Sequence, residues 1–376
     1  MRAGLPILIS LLIACALTAA GAAQQREVRS KRLIEFGWDE PDTAFLRRHI
    51  GQMQQTPFDG CVFHLAYRKP DGSAGNFIWE CWGKRGFRKE ELQPALDDLK
   101  ATHFGRFRHN FLRFNVCPAD LDWFDDYGAV LANARLAASI ARQGGCDGLL
   151  FDTEQYNAPL FRYRSQRDTA TKSWEDYAIQ ARLRGRQVLE AFQQGYPGLT
   201  VFLTFGYGLP WAQTENGAKP LADTDYGLLA PFLDGMVEAA RGRTRIVEGN
   251  ELAYGFFHPE DFAASRTTLT QGLLPIVSDP ARYRRVVSIS FGIWLDDDWR
   301  HKGWNDQDPA KNPHTPEQFE ALVRAALQSA DEYVWIYTET PRWWTDSGGS
   351  SRLPQAYDHA LRNARTKQTA GQGNPP

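Results

Sequence analysis

The stretch Cys146-Asp147-Gly148-Leu149-Leu150-Phe151-Asp152-Thr153-Glu154-Gln155-Tyr156 is where the sequence is most decisive. It reads as a strand over Asp147–Glu154. Side chains alternate along a strand, so Leu149 and Phe151 share one face, and Gly148, Leu150, Asp152 and Glu154 share the other. Two carboxylates thus close one face at the strand's C-terminal end. Each raises the cost of ionising its neighbour, which keeps one of them protonated near neutral pH.

Outward from this run, short β-rich segments alternate with helical ones. Strands are expected at Arg32–Trp38, Phe58–Ala66, Asn110–Val116, Leu199–Gly206, Arg245–Asn250, Arg285–Trp294 and Tyr333–Thr338. Helical patterns fall near Asp42–Gln55, Lys89–Ala101, Tyr127–Gln143, Trp174–Gln194, Tyr226–Arg241, Pro259–Val277 and Pro316–Ala330, with a closing helix at Leu353–Arg365. Alternation of this kind builds a parallel sheet through right-handed crossovers, and eight units make an α/β fold of the (β/α)8 TIM-barrel class in a single domain. A doubly wound open sheet is the rival, but no Gly-rich phosphate turn follows the first strand. The expected organisation is a signal peptide at 1–23, a linker at 24–31, the barrel at 32–365 and a disordered Gly/Gln/Pro tail at 366–376.

In a barrel one face of each strand packs on the helices and the other points to the axis. Parity then sends Arg113 and Asn115 inward on the third strand, and Trp335, Tyr337 and Glu339 inward on the eighth. The same rule assigns Glu35, His64, Thr204, Glu248, Asn250 and Trp294 to the axis. Glu35 is the expected partner of a buried Arg113, and Asp39 and Glu40 the expected caps of the following helix. Polar groups near strand C-terminal ends stand where a barrel carries its active site.

Composition narrows the chemistry. The 376 residues hold 43 Lys plus Arg against 45 Asp plus Glu, a formal charge of −2, so nothing in the overall balance attracts nucleic acid. Aromatic residues make up 12 % of the chain, with 12 Trp, and an aromatic, acid-lined cleft suits a sugar better than a phosphate. No His pair has zinc spacing, and no Ser nucleophile elbow or phosphate loop appears, so no metal or cofactor is expected. The run Asp296-Asp297-Asp298 lacks calcium-loop spacing and reads as a solvated loop.

The N-terminus reads as an export signal: Arg2, an apolar run from Leu5 to Ala20, and small residues before Gln24. The expected location is periplasmic or secreted. Leu12-Ile13-Ala14-Cys15 also resembles a lipobox, which would lipidate Cys15 and give the only membrane attachment expected. Cys61, Cys81, Cys117 and Cys146 fit no zinc or CxxC pattern, and both free thiols and two disulfides stay open.

The quoted stretch resembles the strand-4 signature of the family 18 chitinases and related barrels, D-G-x-D-x-D-x-E. Asp147, Gly148, Asp152 and Glu154 match it, and Leu150 stands where the middle acid belongs. The third strand reads Arg113-Phe114-Asn115-Val116-Cys117 in place of that family's Ser/Gly-rich end, and the sixth reads Glu248-Gly249-Asn250-Glu251 in place of a Tyr-Asp pair. The resemblance implies that Glu154 is the general acid/base and Asp152 its orienting partner. More loosely, the chain looks like a secreted barrel glycoside hydrolase acting on an oligo- or polysaccharide.

Glu339 is the expected second carboxylate, with Glu248 competing for that place. A separation of about 5–5.5 Å from Glu154 would imply retention and about 6.5–9.5 Å inversion. Trp38, Trp294, Trp343 and Trp344 are the expected sugar platforms, and Tyr337, Asn115, Arg113 and His64 the expected supports and substrate contacts. Two rival readings use the same residues. One is a saccharide-binding barrel without turnover, and the other a metal-assisted hydrolase or lyase using acids on strands 1, 4 and 6.

Overall fold

A computed structural model describes residues 30–370, except 39, 300, 302 and 347–351. The leader, Cys15, most of the linker, Asp39 and the last six residues of the tail therefore lie outside the described residues.

Strand β1 (Arg32–Gly37) is followed by helix α1 (Thr43–Met53) and β2 (Gly60–Phe63). A small antiparallel hairpin, β3 (Ala66–Arg68) and β4 (Ala74–Asn76), precedes α2 (Lys89–Ala101). The alternation continues with β5 (Phe111–Asn115), α3 (Gly128–Gln143), β6 (Gly148–Asp152), α4 (Trp174–Gly195) and β7 (Thr200–Leu203). Then come α5 (Gly208–Gln213), α6 (Leu229–Ala239), β8 (Arg245–Glu248), α7 (Pro259–Thr267) and α8 (Pro280–Val286). The chain ends with β9 (Val287–Ile289), β10 (Phe291–Trp294), α9 (Pro316–Ser329), β11 (Tyr333–Thr338) and α10 (Gln355–Ala370).

Apart from the hairpin, the strands form one parallel sheet in the order β10-β11-β1-β2-β5-β6-β7-β8-β9. Its two ends, β9 and β10, are consecutive in the chain and separated only by Ser290. They are the two halves of the seventh stave. Val287–Ile289 pairs with β8, and Phe291–Trp294 pairs with β11. The circuit thus closes through one interrupted strand, giving the eight staves of a (β/α)8 barrel.

The helix starts carry their own signals. Asp42 caps α1 by accepting the Phe45 N–H at 2.7 Å, and Ser173 and Thr315 form capping boxes with Asp176 and Gln318. Two departures from the sequence reading have local causes. The 259–277 pattern is not one helix: α7 stops at Thr267 and gives way to a π turn and a 3₁₀ turn around Pro275. Arg285 belongs to α8 and not to the seventh strand. The closing helix also runs on to Ala370, so residues 366–370 are helical and not part of a disordered tail.

Two apolar cores sort the strand faces. Ile34, Phe36, Val62, Phe111, Leu150, Phe202, Val247, Tyr333, Trp335 and Tyr337 fill the barrel. Leu33, Phe63, Leu112, Phe114, Leu149, Phe151, Ile246, Val334 and Ile336 pack under the helices. Gly148 starts β6 because a Cβ there would lie 1.8 Å from the Thr200 carbonyl oxygen. Parity read from the sequence is right for strands 3, 4 and 8. It is wrong for Asn250, whose amide donates to Ser265 on helix α7, and for the acids Glu35 and Glu248. Ile34, Phe36 and Val247 point to the axis, so these two acids face the outer layer. Among the described residues no helix is long and apolar enough to cross a membrane.

Candidate functional site

The C-terminal mouth of the barrel is organised around Asp152, the last residue of β6, which has no exposed surface. Its Oδ2 accepts Arg113 Nη2 at 2.5 Å, Arg113 Nε at 3.2 Å and the Tyr156 hydroxyl at 3.1 Å. Its Oδ1 accepts the Thr204 hydroxyl at 3.1 Å and the Glu154 N–H at 3.0 Å. Burying a carboxylate costs several kcal/mol unless it is paired and its lone pairs are filled, and here both conditions hold. Asp152 is therefore a fixed anchor joining β5, β6 and the end of β7.

Arg113 serves a second acid. Its Nη1 donates to Glu40 Oε2 at 2.9 Å, and its guanidinium lies 5.0 Å from the Phe36 ring centroid. Glu40 Oε1 stands 3.5 Å from His64 Nδ1, which places inward-facing His64 in the same chain of contacts. Burial alone would raise the Glu40 pKa, but Arg113 and His64 outweigh it and hold it below the usual value. So Glu40 is the second partner of Arg113, the place the sequence assigned to Glu35, and helix capping falls to Asp42.

Glu154 follows two residues later and is half-buried. Burial and the adjacent Asp152 charge raise its pKa, opposed by a hydrogen bond with Tyr156 and by Arg113. That combination favours the protonated form of an accessible carboxyl. The Tyr156 ring meets Trp79 edge-on at 5.3 Å, and Trp79 is exposed.

Glu251 and Tyr254 complete the mouth, and both escaped the sequence reading. Three adjacent residues on the sixth stave explain how Glu251 gets there. Glu248 turns outward and takes the N–H groups of Gly206 (3.0 Å) and Tyr207 (2.7 Å). Gly249 passes the neighbouring strand where a Cβ would lie 1.9 Å from the Leu203 oxygen, and its own carbonyl accepts Trp335 Nε1 at 2.9 Å. Asn250 then adopts a left-handed conformation, φ 49° and ψ 62°, of the kind that costs energy and clusters at functional sites. The next residue, Glu251, donates its N–H to the Thr204 carbonyl at 3.2 Å, on the residue whose hydroxyl binds Asp152. Burial raises the Glu251 pKa well above its usual value, with the charges of Asp152 and Glu154 acting in the same direction. The Tyr254 ring lies at 5.3 to 5.5 Å from Trp335, Tyr337 and Trp294. The signal available in sequence was Asn250 after Gly249, a residue type that tolerates the left-handed region, lying just past the end of the strand.

Several polar atoms of this cluster are enclosed without a partner: both side-chain amide atoms of Asn115, the Tyr254 hydroxyl and Glu251 Oε2. Asn115 has no exposed surface, and its register partner across the β5–β6 ladder is Asp152.

Other expected site residues lie elsewhere. Glu248 is a structural staple, and burial raises its carboxyl to about 7 against the N–H groups of Tyr207, Gly206 and Gly208. Asp147, part of the quoted motif, sits at the opposite end of β6 and bonds His109 and the Tyr333 hydroxyl. Trp343 and Trp344 are buried against Phe58, at 4.8 and 6.3 Å, and are core residues, not sugar platforms. Trp38 is exposed beside the end of β1. Trp294 and Tyr337 do face the axis, and the Tyr337 hydroxyl donates to Glu339 at 3.2 Å. Glu339 lies at the rim on an open pocket of about 420 Å³, with Trp294, Trp299 and Trp304 in its walls. Its pKa is raised by burial, opposed by the Tyr337 hydrogen bond, and its charged neighbours are Asp296, Arg342 and Asp297, a different group from those around Glu154. Among the described residues no three His, Cys, Asp or Glu side chains stand together as a metal site, and Glu35 and Glu248 face away from the axis. Cys61, Cys81, Cys117 and Cys146 are buried free thiols.

No protein-family model matches this chain, and no curated protein matches it. Solved structures with a related architecture include an endocellulase from Pyrococcus horikoshii in complex with cellotetraose, at 10 % identity and a TM-score of 0.46, covering 89 % of this chain and 92 % of that one. A broad-specificity endoglucanase from an uncultured bacterium also has a TM-score of 0.46, at 15 % identity, covering 87 % of this chain and 85 % of that one. A 7,8-dihydropteroate synthase from Vibrio fischeri has a TM-score of 0.40 at 10 % identity, covering 92 % and 95 %. Hydrolases and a synthase stand side by side in this set, so the reaction has to be argued from the site.

Proposed function

We propose that the protein is a glycoside hydrolase in which Glu154 is the general acid/base. The observation that carries this reading is the contrast between two carboxyl groups two residues apart. Asp152 has every lone pair occupied inside the barrel, whereas Glu154 is half-buried at the mouth with its pKa raised. Environments that push neighbouring acids apart in this way assign one to hold charge and the other to deliver a proton.

In the proposed reaction Glu154 gives its proton to the glycosidic oxygen as the bond from that oxygen to the anomeric carbon breaks. The electron pair leaves with the oxygen, and the positive charge developing on the ring faces the carboxylates of the mouth. Water then adds to the anomeric carbon and returns a proton to Glu154. Trp79 and Trp38 supply exposed aromatic surface for neighbouring sugar rings, and Glu339 with Trp294 offers a contact at the rim. The leader at residues 1–23 supports export, which makes the substrate an extracellular or periplasmic glycan.

A reading without turnover draws on Leu150, which packs inside the barrel where the resembling motif has an acid. The deciding experiment is release of reducing sugars from a panel of plant, algal and bacterial glycans by the wild type and Glu154→Gln. Release by the wild type and loss in the variant are expected. Equal release by both would remove Glu154 from its role.

A further inference from the structure

A barrel interior normally pairs its buried polar atoms, since each one left unpaired costs about 1–3 kcal/mol. Asp152 and Arg113 obey that rule completely. Beside them, Asn115, Tyr254 and Glu251 do not: four of their donor or acceptor atoms are enclosed without a partner. Asn115 is the register partner of Asp152, the Tyr254 ring stacks on Tyr337 at 5.3 Å, and the Asp152 charge acts on both Tyr254 and Glu251. The unpaired atoms therefore stand beside the Asp152–Glu154 pair.

Charge is the second observation. Around this floor stand two carboxylates, Glu40 and Asp152, the carboxyl groups of Glu154 and Glu251, whose protonated forms burial favours, and one guanidinium, Arg113. That guanidinium is already committed to Glu40, Asp152 and Tyr156. An anionic ligand group placed here would meet carboxylates and a cation with its donors taken. A hydroxyl or amide would meet unpaired partners.

We propose that Asn115, Tyr254 and Glu251 form a hydrogen-bonding floor that selects a neutral sugar ring and rejects an anionic one. The proposal deepens the hydrolase reading and shares its site. Glu251 acts here as a neutral acid, consistent with the burial that raises its pKa. It donates and accepts with substrate hydroxyl or amide groups, and Tyr254 and Asn115 supply the remaining contacts. All three are specificity-determining residues.

The test separates recognition from turnover. In the Glu154→Gln background, calorimetry compares oligogalacturonates with the same oligomers after carboxyl reduction, and adds neutral glucan, xylan, mannan and chitin fragments. The expected result is binding of a neutral oligosaccharide and at least about tenfold weaker binding of any uronate counterpart. Glu251→Ala and Tyr254→Phe should each lose about tenfold in affinity, while Glu251→Gln, which keeps a neutral donor and acceptor, retains it. Wild-type-like thermal unfolding of each variant shows that the fold is intact. Binding should also weaken at alkaline pH with Glu251 present and not in Glu251→Gln.

Uronates bound as tightly as their reduced forms would overturn the proposal, even if Glu154-dependent hydrolysis is found. Neutral sugars bound by the floor but never cleaved by the wild type would support it and remove the hydrolase reading. Absence of binding by every oligosaccharide would overturn both.

Discussion

Arg113 bridges two acids from different parts of the chain, with Nη2 2.5 Å from Asp152 Oδ2 and Nη1 2.9 Å from Glu40 Oε2, and all three side chains are buried. The geometry makes Arg113 the electrostatic keystone of the mouth. It joins the loop after β1, strand β5 and the end of β6.

Replacing Arg113 with Met should leave Glu40 and Asp152 buried and facing one another. Breaking one side of a buried ion pair costs about 3–5 kcal/mol, far more than a surface pair. Urea unfolding of Arg113→Met should show a lower midpoint at unchanged slope. Asp152→Asn in the same chain should recover part of the loss, because one stranded charge is then gone. Additive losses would mean that the two residues are not coupled as the contacts indicate.

Tyr156 couples this anchor to Glu154. Its single hydroxyl proton is shared between Asp152 and Glu154, and the share that reaches Glu154 opposes the upward pKa shift there. In Tyr156→Phe the ionised form of Glu154 loses that support, so its pKa should rise further. The alkaline limb of kcat/KM, where the proton donor is lost, should move to higher pH. Carbon NMR of labelled glutamate side chains reads the same titration without a substrate. A downward move of the Glu154 titration would contradict the arrangement.

The parts of this site that were legible in sequence are those governed by strand periodicity. Asp152 and Arg113 follow from alternation along strands whose phase was read correctly. Glu35 and Glu248 were misplaced because their strands, Leu33-Ile34-Glu35-Phe36 and Ile246-Val247-Glu248, are apolar on both sides of the acid. A barrel buries both strand faces, so hydrophobicity there does not distinguish inside from outside. Glu40 and Glu251 lie beyond the strand ends, where backbone turns and not periodicity set direction. The left-handed Asn250 is such a turn. Trp343 and Trp344 misled for another reason: their place after the last strand suggested the mouth, whereas the chain carries them to Phe58 and Phe107 in the outer core.

Tryptophan substitutions should therefore separate into two classes. Trp343→Ala removes a ring packed edge-on against Phe58 and should cost about 3–5 kcal/mol of stability, as truncation of large core aromatics does. Trp79→Ala removes an exposed ring beside Tyr156 and should change the melting temperature little while weakening oligosaccharide binding. Thermal unfolding with binding calorimetry on both variants checks the division. A destabilised Trp79→Ala with unchanged affinity would place that ring in the core instead.

Glu35 offers a test of stability against pH. It faces the outer layer with Oε2 enclosed and unpartnered, and burial, countered in part by Arg342, raises its pKa from 4.5 to about 8. The native state thus holds this proton through a range in which the unfolded chain has released it. Below 4.5 the group is protonated in both states and favours neither. Between 4.5 and about 8 the native state binds more protons, so stability falls as pH rises, and above 8 the full penalty remains. At about 1.4 kcal/mol per pH unit the total is on the order of a few kcal/mol. Glu35→Gln keeps the shape and cannot ionise. It should be close to the wild type in stability at pH 4.5 and progressively more stable than it toward pH 8, and urea midpoints across that range measure the difference. A constant difference between the two proteins at every pH would show that Glu35 releases its proton equally in both states.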